Sequence, residues 1–152
     1  MANQFDKVVY DLKKQERYDR TYLNMAREWS KLSHCTRKQV GALIVKNGMI
    51  ISDGYNGTAT GQDNSCEMEN GETKWDVIHG EANAILKCAR HGHSCDGGTL
   101  YQTHSPCRDC SKLILSSGLK RLVYVEDYKD ITGLEFLRDA GLEIVKYDWL
   151  FI

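Results

Sequence analysis

The sequence has no long apolar run and no excess of either charge. No stretch approaches the roughly 18 apolar residues that a helix needs to cross a bilayer, and residues 1–10 lack the basic-then-apolar order of a secretion signal. The 20 basic and 21 acidic side chains leave a formal net charge of -1, whereas proteins that bind long nucleic acid normally carry a strongly basic face. We therefore expect a cytoplasmic protein with small-molecule partners, bound to neither a membrane nor long nucleic acid.

The length of the chain bounds its organisation. Its 152 residues, of which 41% are hydrophobic, suit one core and are too few for two comfortable domains. We expect a single domain over residues 1–152. Residues 1–18 mix charged and apolar positions, and they could form either a short helix or a loosely attached arm. No internal repeat or low-complexity tract is present.

Strand patterns and helix patterns alternate along the chain. A helix is predicted from an Asp19 cap, followed by two β-branched runs joined at Asn47-Gly48, a sequence that favours an antiparallel hairpin. Beyond a long polar loop at residues 54–75, the predicted elements are a helix from His79 to Gly92, a strand Thr99–Thr103, a helix Cys107–Ser117, a strand Leu122–Glu126, a helix Leu134–Ala140 and a strand Leu142–Tyr147. This order predicts an α/β fold in which helices pack on a central sheet.

The chain carries six cysteines: Cys35, Cys66, Cys88, Cys95, Cys107 and Cys110. In a reducing cytosol, six cysteines are expected to be thiols or metal ligands rather than three disulfides. We assign the Cys107 and Cys110 pair to a metal.

Two short motifs supply metal ligands and a carboxylate. They are His79-Gly80-Glu81 and Pro106-Cys107-Arg108-Asp109-Cys110. Imidazole nitrogen and thiolate sulfur both suit zinc, and a catalytic zinc normally has three protein ligands and one water, whereas a structural zinc has four protein ligands. A bound water of this kind has a pKa of about 7. Three ligands therefore predict a zinc that generates a nucleophile.

The placement of these residues fits that chemistry. Cys107 and Cys110 are three apart at a predicted helix start, where the helix dipole favours thiolates, and Pro106, the one proline in the chain, suits such a start. Glu81 is two residues from His79, so its carboxylate can stand beside the metal water and shuttle its proton. The alternative is a closed, non-catalytic zinc-binding module with a fourth ligand from Cys35, Cys66, Cys88 or Cys95.

H-x-E combined with P-C-x-x-C is the signature of the zinc-dependent nucleobase deaminases. From about Ala26 to Lys146 the chain resembles the cytidine deaminase superfamily and, within it, the deoxycytidylate (dCMP) deaminases of phage type. The shared segments are Val40-Gly41-Ala42, Gly54-Tyr55-Asn56-Gly57, residues 79–85, Tyr101-Gln102-Thr103, residues 105–110 and Leu122-Val123-Tyr124. One departure is Gly80, where the family usually has alanine. The resemblance implies a three-layer α/β/α sandwich with a mixed sheet of about five strands.

The activity implied by the resemblance is hydrolytic deamination of dCMP to dUMP and ammonia, which supplies dUMP for dTMP synthesis. Zinc hydroxide would attack C4 of cytosine, and Glu81 would protonate N3 and then the leaving amine. Alternatives are deamination of another cytosine nucleotide or nucleoside, such as dCTP or cytidine, or of the adenine at a tRNA wobble position. A tRNA enzyme would be expected to show a basic surface. A viral chain would act in the host cytosol.

The resemblance also implies substrate contacts. Asn56 would hold the deoxyribose hydroxyl, or it would only serve an Asn-Gly turn. The 5′-phosphate needs cationic or hydroxyl partners, and the nearest cluster by motif order is Thr36, Arg37 and Lys38, which could otherwise form a solvated basic face. Tyr128 would line the pocket or remain a surface tyrosine. Gly80 and Ser105, from the two zinc motifs, complete the predicted substrate site.

Regulation and assembly are implied by analogy with family members that are hexamers activated by dCTP and inhibited by dTTP. The effector, with Mg²⁺, would bind a loop whose candidate residues are Gly54, Tyr55, Gly57, Gly61, Asp63 and Asn64. Arg90 would mediate subunit contact and control, or it would be a surface helix charge. The expected assembly is a homohexamer.

A second, structural zinc is a further implication of the resemblance. Cys35 and Cys66 match or nearly match its ligands in a phage-type relative, but Glu69 stands ten residues before His79, where a histidine would be needed. His91 and His93 are the remaining partners for those cysteines. We favour a single zinc.

Overall fold

A five-stranded mixed sheet lies at the centre of the structure, a computed structural model that describes residues 3–152. In chain order the elements are α1 (Gln4–Ser30), β1 (Gly41–Lys46), β2 (Met49–Tyr55), α2 (Gly80–His91), β3 (Thr99–His104), α3 (Arg108–Ser116), β4 (Arg121–Glu126), α4 (Thr132–Asp139), β5 (Glu143–Lys146) and a 3-10 turn (Trp149–Phe151). The strand order is β2-β1-β3-β4-β5. Among residues 3–152, no helix combines the length and apolar character that a membrane crossing requires.

The sheet is mixed because its first half is a hairpin and its second half is built from crossovers. β1 pairs antiparallel with β2 and β3, whereas β3, β4 and β5 run parallel. Asn47 and Gly48, with φ values of 52° and 73°, make the turn between β1 and β2, as that pair of residues predicts. Because β1 begins beside the ends of β2 and β3, the connections at that end of the sheet lie close together.

Alternate residues of each strand face opposite layers. Ile44, Leu100 and Leu122 pack with helices α2, α3 and α4, while Leu43 and Val123 pack with α1 and the C-terminal segment. This two-sided burial explains why the strands read as nearly continuous apolar runs. The predicted three-layer α/β/α sandwich is confirmed.

Helix α1 starts earlier than the sequence pattern indicated. The Asn3 side chain accepts a hydrogen bond from the Asp6 amide at 2.9 Å, and the Asp6 carboxylate accepts one from the Asn3 amide at 3.3 Å, which caps a helix that begins at Gln4. The prediction of a helix start at Asp19 was wrong, because Asp19 lies inside this helix. Of the two alternatives for residues 1–18, the structure shows a helix from Gln4 onward, and residues 1 and 2 lie outside the described residues.

Asp19 anchors α1 to the sheet instead. Its buried carboxylate accepts bonds from both Arg121 guanidinium nitrogens at 2.8 and 2.7 Å, from the Tyr101 hydroxyl at 2.7 Å, from the Tyr147 hydroxyl at 2.9 Å and from the Gln15 amide at 2.9 Å. Burial alone would raise the pKa of Asp19, but the Arg121, Tyr101 and Gln15 bonds lower it below its ordinary value. The charge is thus stabilised inside the layer between α1 and the sheet.

We predict that Asp19→Asn lowers the free energy of unfolding at pH 7 by about 3–5 kcal/mol, because Arg121 loses its buried partner. Since the folded pKa of Asp19 lies below its unfolded value, its stabilisation is present above the ordinary value of 3.8 and is lost as the pH falls through the folded pKa. Urea unfolding of both proteins should be measured from pH 7 to pH 3. The difference between their free energies of unfolding should become smaller only at the acid end of this range. Glu16→Gln, at an exposed pair 3.9 Å from Arg20, is the matched control; an equally stable Asp19→Asn protein at pH 7 would contradict this role.

Gly54 and Gly57, from the segment Gly54-Tyr55-Asn56-Gly57, should respond differently to substitution by alanine. A Cβ on Gly54 would collide with the Gly80 carbonyl and stand 2.7 Å from the Ala84 amide, whereas a Cβ on Gly57 would meet nothing within 4 Å. We predict that Gly54→Ala costs about 1–3 kcal/mol by pushing α2 off β2. Gly57→Ala should stay within about 0.5 kcal/mol of the parent. Thermal unfolding of the two variants checks this, and equal melting temperatures would refute the close approach.

Candidate active site

The start of α2 is fixed against the hairpin end of the sheet. His79 is the N-cap residue with extended backbone, and Gly80 opens the helix. The Asn83 side chain donates to the Tyr55 carbonyl at 2.9 Å, which ties the first turn of α2 to the end of β2. A Cβ at Gly80 would be 3.2 Å from the Val40 carbonyl, so the small residue suits this tight crossing. These contacts aim His79 and Glu81 into the space beyond the sheet.

The start of α3 brings two sulfurs to the same place. Cys107 is the N-cap of α3, and its sulfur accepts a hydrogen bond from the Cys110 amide at 3.5 Å. The Nδ1 atom of His79 lies 3.5 Å from the sulfur of Cys107 and 3.5 Å from that of Cys110. The structure therefore brings together the three ligands that the sequence predicts.

This arrangement fits zinc. With Zn–S bonds of about 2.3 Å and Zn–N bonds of about 2.0–2.1 Å, a sulfur and a nitrogen on one tetrahedral ion lie about 3.5 Å apart. The three ligand atoms lie within 4.8 Å of one another, and they form a three-residue group with no fourth His, Cys, Asp or Glu atom in the described chain. Both distance and donor type suit an ion with one position left for a non-protein ligand.

Charge at the site is divided unequally between the two cysteines. A hydrogen bond with Cys110, reinforced by His79 and opposed by burial, lowers the pKa of Cys107 to about 4. The same contact with Cys107, together with burial, raises the pKa of Cys110. The pKa of His79 is raised mainly by its bond to Cys107. One thiolate is thus favoured even without a cation, and a dication would favour the second.

Glu81 is almost completely buried beside these ligands, with 3% of its surface exposed. Burial raises the pKa of its carboxyl group above the ordinary value of 4.5, and the neighbouring Cys107 acts in the same direction. A raised pKa favours the protonated form of a carboxyl group, which can then donate as well as accept a proton. The role of Glu81 as a proton shuttle stays a prediction.

A cavity of about 570 Å³ opens in front of the three ligands, a size typical of small-molecule sites. His79, Glu81 and Cys107 form its floor, and Asn56, Lys38 and Tyr128 lie on its walls. Gly80 and Ser105 also line it. Thr36 does not line the cavity, although its neighbours Cys35 and Arg37 do, and its amide donates to the Glu67 carboxylate at 2.8 Å.

Asn56 has a structural task that neither sequence interpretation included. Its Oδ1 accepts from the Val40 amide and its Nδ2 donates to the Lys38 carbonyl, both at 2.8 Å. The side chain therefore holds residues 38–40 in place while its edge faces the cavity. The predicted contact with a sugar hydroxyl stays a prediction.

Ser105 positions Tyr128. The Ser105 hydroxyl is buried and accepts a hydrogen bond from the Tyr128 amide at 2.7 Å. The Tyr128 ring then stands at the mouth of the cavity, with the Lys38 ammonium 5.7 Å and the Lys129 ammonium 6.0 Å from its centroid. Two cations and an aromatic hydroxyl thus meet at the entrance.

The predicted effector residues lie apart from the cavity lining. Gly54 and Tyr55 belong to β2, and Gly57 forms an isolated bridge with Ile78. The remaining candidates are exposed, and they are Gly61, Asp63, Asn64 and Arg90. Lys74 lies 3.2 Å from Asp63. Their effector and subunit roles stay predictions.

Sequence reasoning missed five polar residues that line the cavity: Glu67, Glu72, Thr73, His104 and Lys129. Burial lowers the pKa of His104, and its Nε2 lies 3.3 Å from the Glu126 carboxylate. His104 stands between the motif residues Thr103 and Ser105, and Lys129 follows Tyr128, so adjacency was an available signal for both. Glu67 carried no such signal, because its role depends on chain segments that are distant in sequence.

The cysteine prediction was wrong for one pair. Cys35 and Cys66 form a disulfide across 31 residues, while Cys88, Cys95, Cys107 and Cys110 are free. The expectation of thiols rested on compartment and composition, whereas the fold brings these two buried side chains into direct contact. The second structural zinc raised by the resemblance would need both sulfurs as free thiolates.

Comparison with known proteins agrees with this geometry. A sequence profile described as "Cytidine and deoxycytidylate deaminase zinc-binding region" matches residues 16–126. Deoxycytidylate deaminase of Enterobacteria phage T4 is 37% identical over 82% of this chain and 86% of its own length. ComE operon protein 2 of Bacillus subtilis is 43% identical over 74% of this chain and 61% of its own length.

Solved structures agree as well. The dCMP deaminase from cyanophage S-TIM5, in complex with dCMP and dUMP, superposes with a TM-score of 0.84 at 42% identity, covering 86% of this chain and 97% of that one. Its apo form superposes with a TM-score of 0.78. From the profile, the phage relatives and the shared fold, we conclude that the chain belongs to the cytidine and deoxycytidylate deaminase family.

Proposed function

We propose that this chain is a zinc-dependent dCMP deaminase that converts dCMP and water to dUMP and ammonia. The observation that carries the proposal is the group of His79, Cys107 and Cys110, which opens with the buried Glu81 into a nucleotide-sized cavity. The cyanophage enzyme with the same fold has been solved with dCMP and dUMP bound. Substrate and product of the same reaction thus fit the fold that this chain shares.

His79 Nδ1 and the sulfurs of Cys107 and Cys110 would hold the metal. When bound, zinc supplies a water with a pKa of about 7 and a Lewis acid for charge that develops at the base. The thiolate pair neutralises the ion, and the two helix starts hold the ligands rigidly. The proton transfers are then carried out by a side chain of the protein.

Glu81 performs those transfers. Its carboxylate takes one proton from the attacking water and delivers it to N3 of the cytosine. It then takes the second proton from the oxygen now bonded to C4 and delivers it to the 4-amino group, so that the C4–N bond breaks, C4=O forms and ammonia leaves. Burial raises the pKa of Glu81 and so favours its protonated form. Because Glu81 is on the helix that His79 caps, the shuttle and the metal ligand are fixed in one rigid unit.

The cavity mouth favours a nucleotide over a nucleoside. Arg37, Lys38 and Lys129 line it, and cations of this kind form charge-assisted hydrogen bonds with phosphate oxygens. Glu67 and Glu72 stand nearby, so the charge is local rather than a broad basic face. This arrangement supports a 5′-monophosphate substrate and disfavours tRNA.

We extend this proposal to control and assembly. The product dUMP would supply dTMP synthesis, in the host cytosol if the chain is viral. dCTP would activate and dTTP would inhibit, each with Mg²⁺, at the exposed loop that carries Gly61, Asp63 and Asn64, and Arg90 would contact a neighbouring subunit in a homohexamer. The exposure of all four residues supports their availability to a ligand or a second subunit.

We predict that Glu81→Gln keeps its fold and zinc but loses about 10²–10⁴-fold in kcat for dCMP, because the amide cannot shuttle protons. Ammonia release measures turnover, and atomic absorption measures zinc per chain. Glu135→Gln makes the same charge change on the exposed start of α4 and should leave kcat unaltered. An active, zinc-loaded Glu81→Gln enzyme would disprove the shuttle.

Lys38→Ala should raise KM for dCMP by about tenfold or more, since a bond between a cation and phosphate is lost. Its kcat/KM for deoxycytidine, which has no phosphate, should change little. Steady-state assays with dCMP, deoxycytidine, dCTP and CMP give the comparison, with Lys120→Ala on the exposed surface as the control. Equal losses for dCMP and deoxycytidine would show that Lys38 does not select the phosphate.

A further inference from the structure

The Cys35–Cys66 disulfide joins two segments that build one side of the cavity. Cys35 follows α1, in the connection that leads to β1, and Cys66 lies in the long connection between β2 and α2. Both residues are buried, with 4% and 0% of their surfaces exposed. Cys35 also lines the cavity, and its sulfur lies 3.7 Å from the Asn56 carbonyl oxygen. The bridge therefore belongs to the cavity wall.

The segment fixed by this bridge carries cations of the cavity mouth. Arg37 and Lys38 lie two and three residues after Cys35 and line the cavity. Glu67 follows Cys66 directly, and its carboxylate accepts the amides of Thr36 at 2.8 Å and Arg37 at 3.1 Å. The disulfide thus places Glu67 under the backbone that presents Arg37 and Lys38.

Without the bridge, the remaining ties to the long connection are hydrogen bonds. The Glu67 contacts are exposed to water, and exposed polar contacts contribute little to holding a segment in place. The Asn56 side chain would still secure residues 38–40 from the β2 side. Loss of the bridge should therefore release the Cys66 side of the wall and loosen Arg37, while residues 38–40 and the predicted metal ligands at the starts of α2 and α3 stay in place.

A shared metal ion does not explain the pair. In the part of the chain that the structure describes, the one group of three or more His, Cys, Asp and Glu ligand atoms is that of His79, Cys107 and Cys110. Cys35 and Cys66 therefore have no third ligand of this kind within reach. Disulfides in reducing compartments are usually transient and act in catalysis or redox sensing.

We propose that Cys35 and Cys66 form a redox site that sets the affinity of the cavity for its nucleotide. The oxidised pair holds the cation-bearing segment in its binding position, and the reduced pair releases it. The effect falls on substrate binding and leaves the chemical step intact. This inference rests on the proposed function, because it takes the nucleotide to be dCMP.

The reductant is a dithiol, and the exchange balances. A thiolate of the dithiol enters from the cavity and attacks the Cys35 sulfur, which forms a mixed disulfide and releases Cys66 as a thiolate. The second thiol of the reductant then displaces Cys35 and closes its own cyclic disulfide. Two electrons and two protons pass to the protein, which ends with two thiols. A nucleotide in the cavity blocks this approach, so dCMP should slow the reduction.

The test compares oxidised and reduced enzyme under anaerobic conditions. The assay uses tris(2-carboxyethyl)phosphine in place of the dithiol, so that the reductant does not chelate zinc. The phosphine is oxidised to its phosphine oxide, and the oxygen atom comes from water. Alkylation of the denatured protein should rise from the four free cysteines to all six. Since substrate must then order the released side chains, KM for dCMP should rise by about tenfold, with kcat and zinc content unchanged.

A double variant, Cys35→Ser with Cys66→Ser, should reproduce the KM of the reduced enzyme and should not respond to the phosphine. Equal KM values for fully oxidised and fully reduced enzyme would overturn the proposal. Six alkylatable cysteines and more than one zinc per chain in the air-exposed protein would also overturn it, because the pair would then be metal ligands.

Failure of the proposed function would look different. The oxidised protein would keep four alkylatable cysteines but release no ammonia from dCMP. Calorimetric titration of Glu81→Gln with dCMP tests the redox site without turnover. Binding that is about tenfold weaker after reduction supports it, and equal or undetectable binding in the two states refutes it.

Discussion

The site depends on how closely two helix starts approach at one end of the sheet. α2 can lie against β2 only because Gly54 has no side chain where the Gly80 carbonyl passes, and Asn83 then fixes the first turn to Tyr55. α3 starts directly after β3, so Cys107 and Cys110 reach His79 from the neighbouring connection. A few tenths of an ångström in this packing decide whether three ligand atoms share one ion. The chemistry is thus set by backbone contacts that touch neither metal nor substrate.

The layer formed by α1 lies on the opposite face of the sheet, and the connection that follows α1 forms the other side of the cavity. α1 is held to β3 and β4 through Asp19, Tyr101 and Arg121, a buried charged group whose bonds are nearly all satisfied from within the protein. The connection that follows α1 delivers Cys35, Arg37 and Lys38 to the cavity mouth. These residues therefore follow the helix that Asp19 fixes to the sheet.

The sequence predicted the features that depend on local spacing. The hairpin at Asn47-Gly48, the α/β alternation and the joining of His79 with Cys107 and Cys110 all follow from residues close together or from one compact signature. It failed at Asp19, because an aspartate before an apolar stripe resembles a helix cap, and only Tyr101, Arg121 and Tyr147 from the sheet reveal its role. The Cys35–Cys66 pair and the Glu67 contacts join segments about 30 residues apart, and no local pattern encodes them. Asn56 was predicted as a contact residue, and its structural bonds to residues 38–40 required the folded backbone.

The two sides of the cavity are secured by unrelated chemistry. One side carries the side chains of His79, Cys107 and Cys110 at two helix starts, and the facing side rests on a sulfur–sulfur bond and the Asn56 amide. Under the proposed function, substitutions at the helix starts would change turnover, and substitutions on the facing side would change substrate affinity.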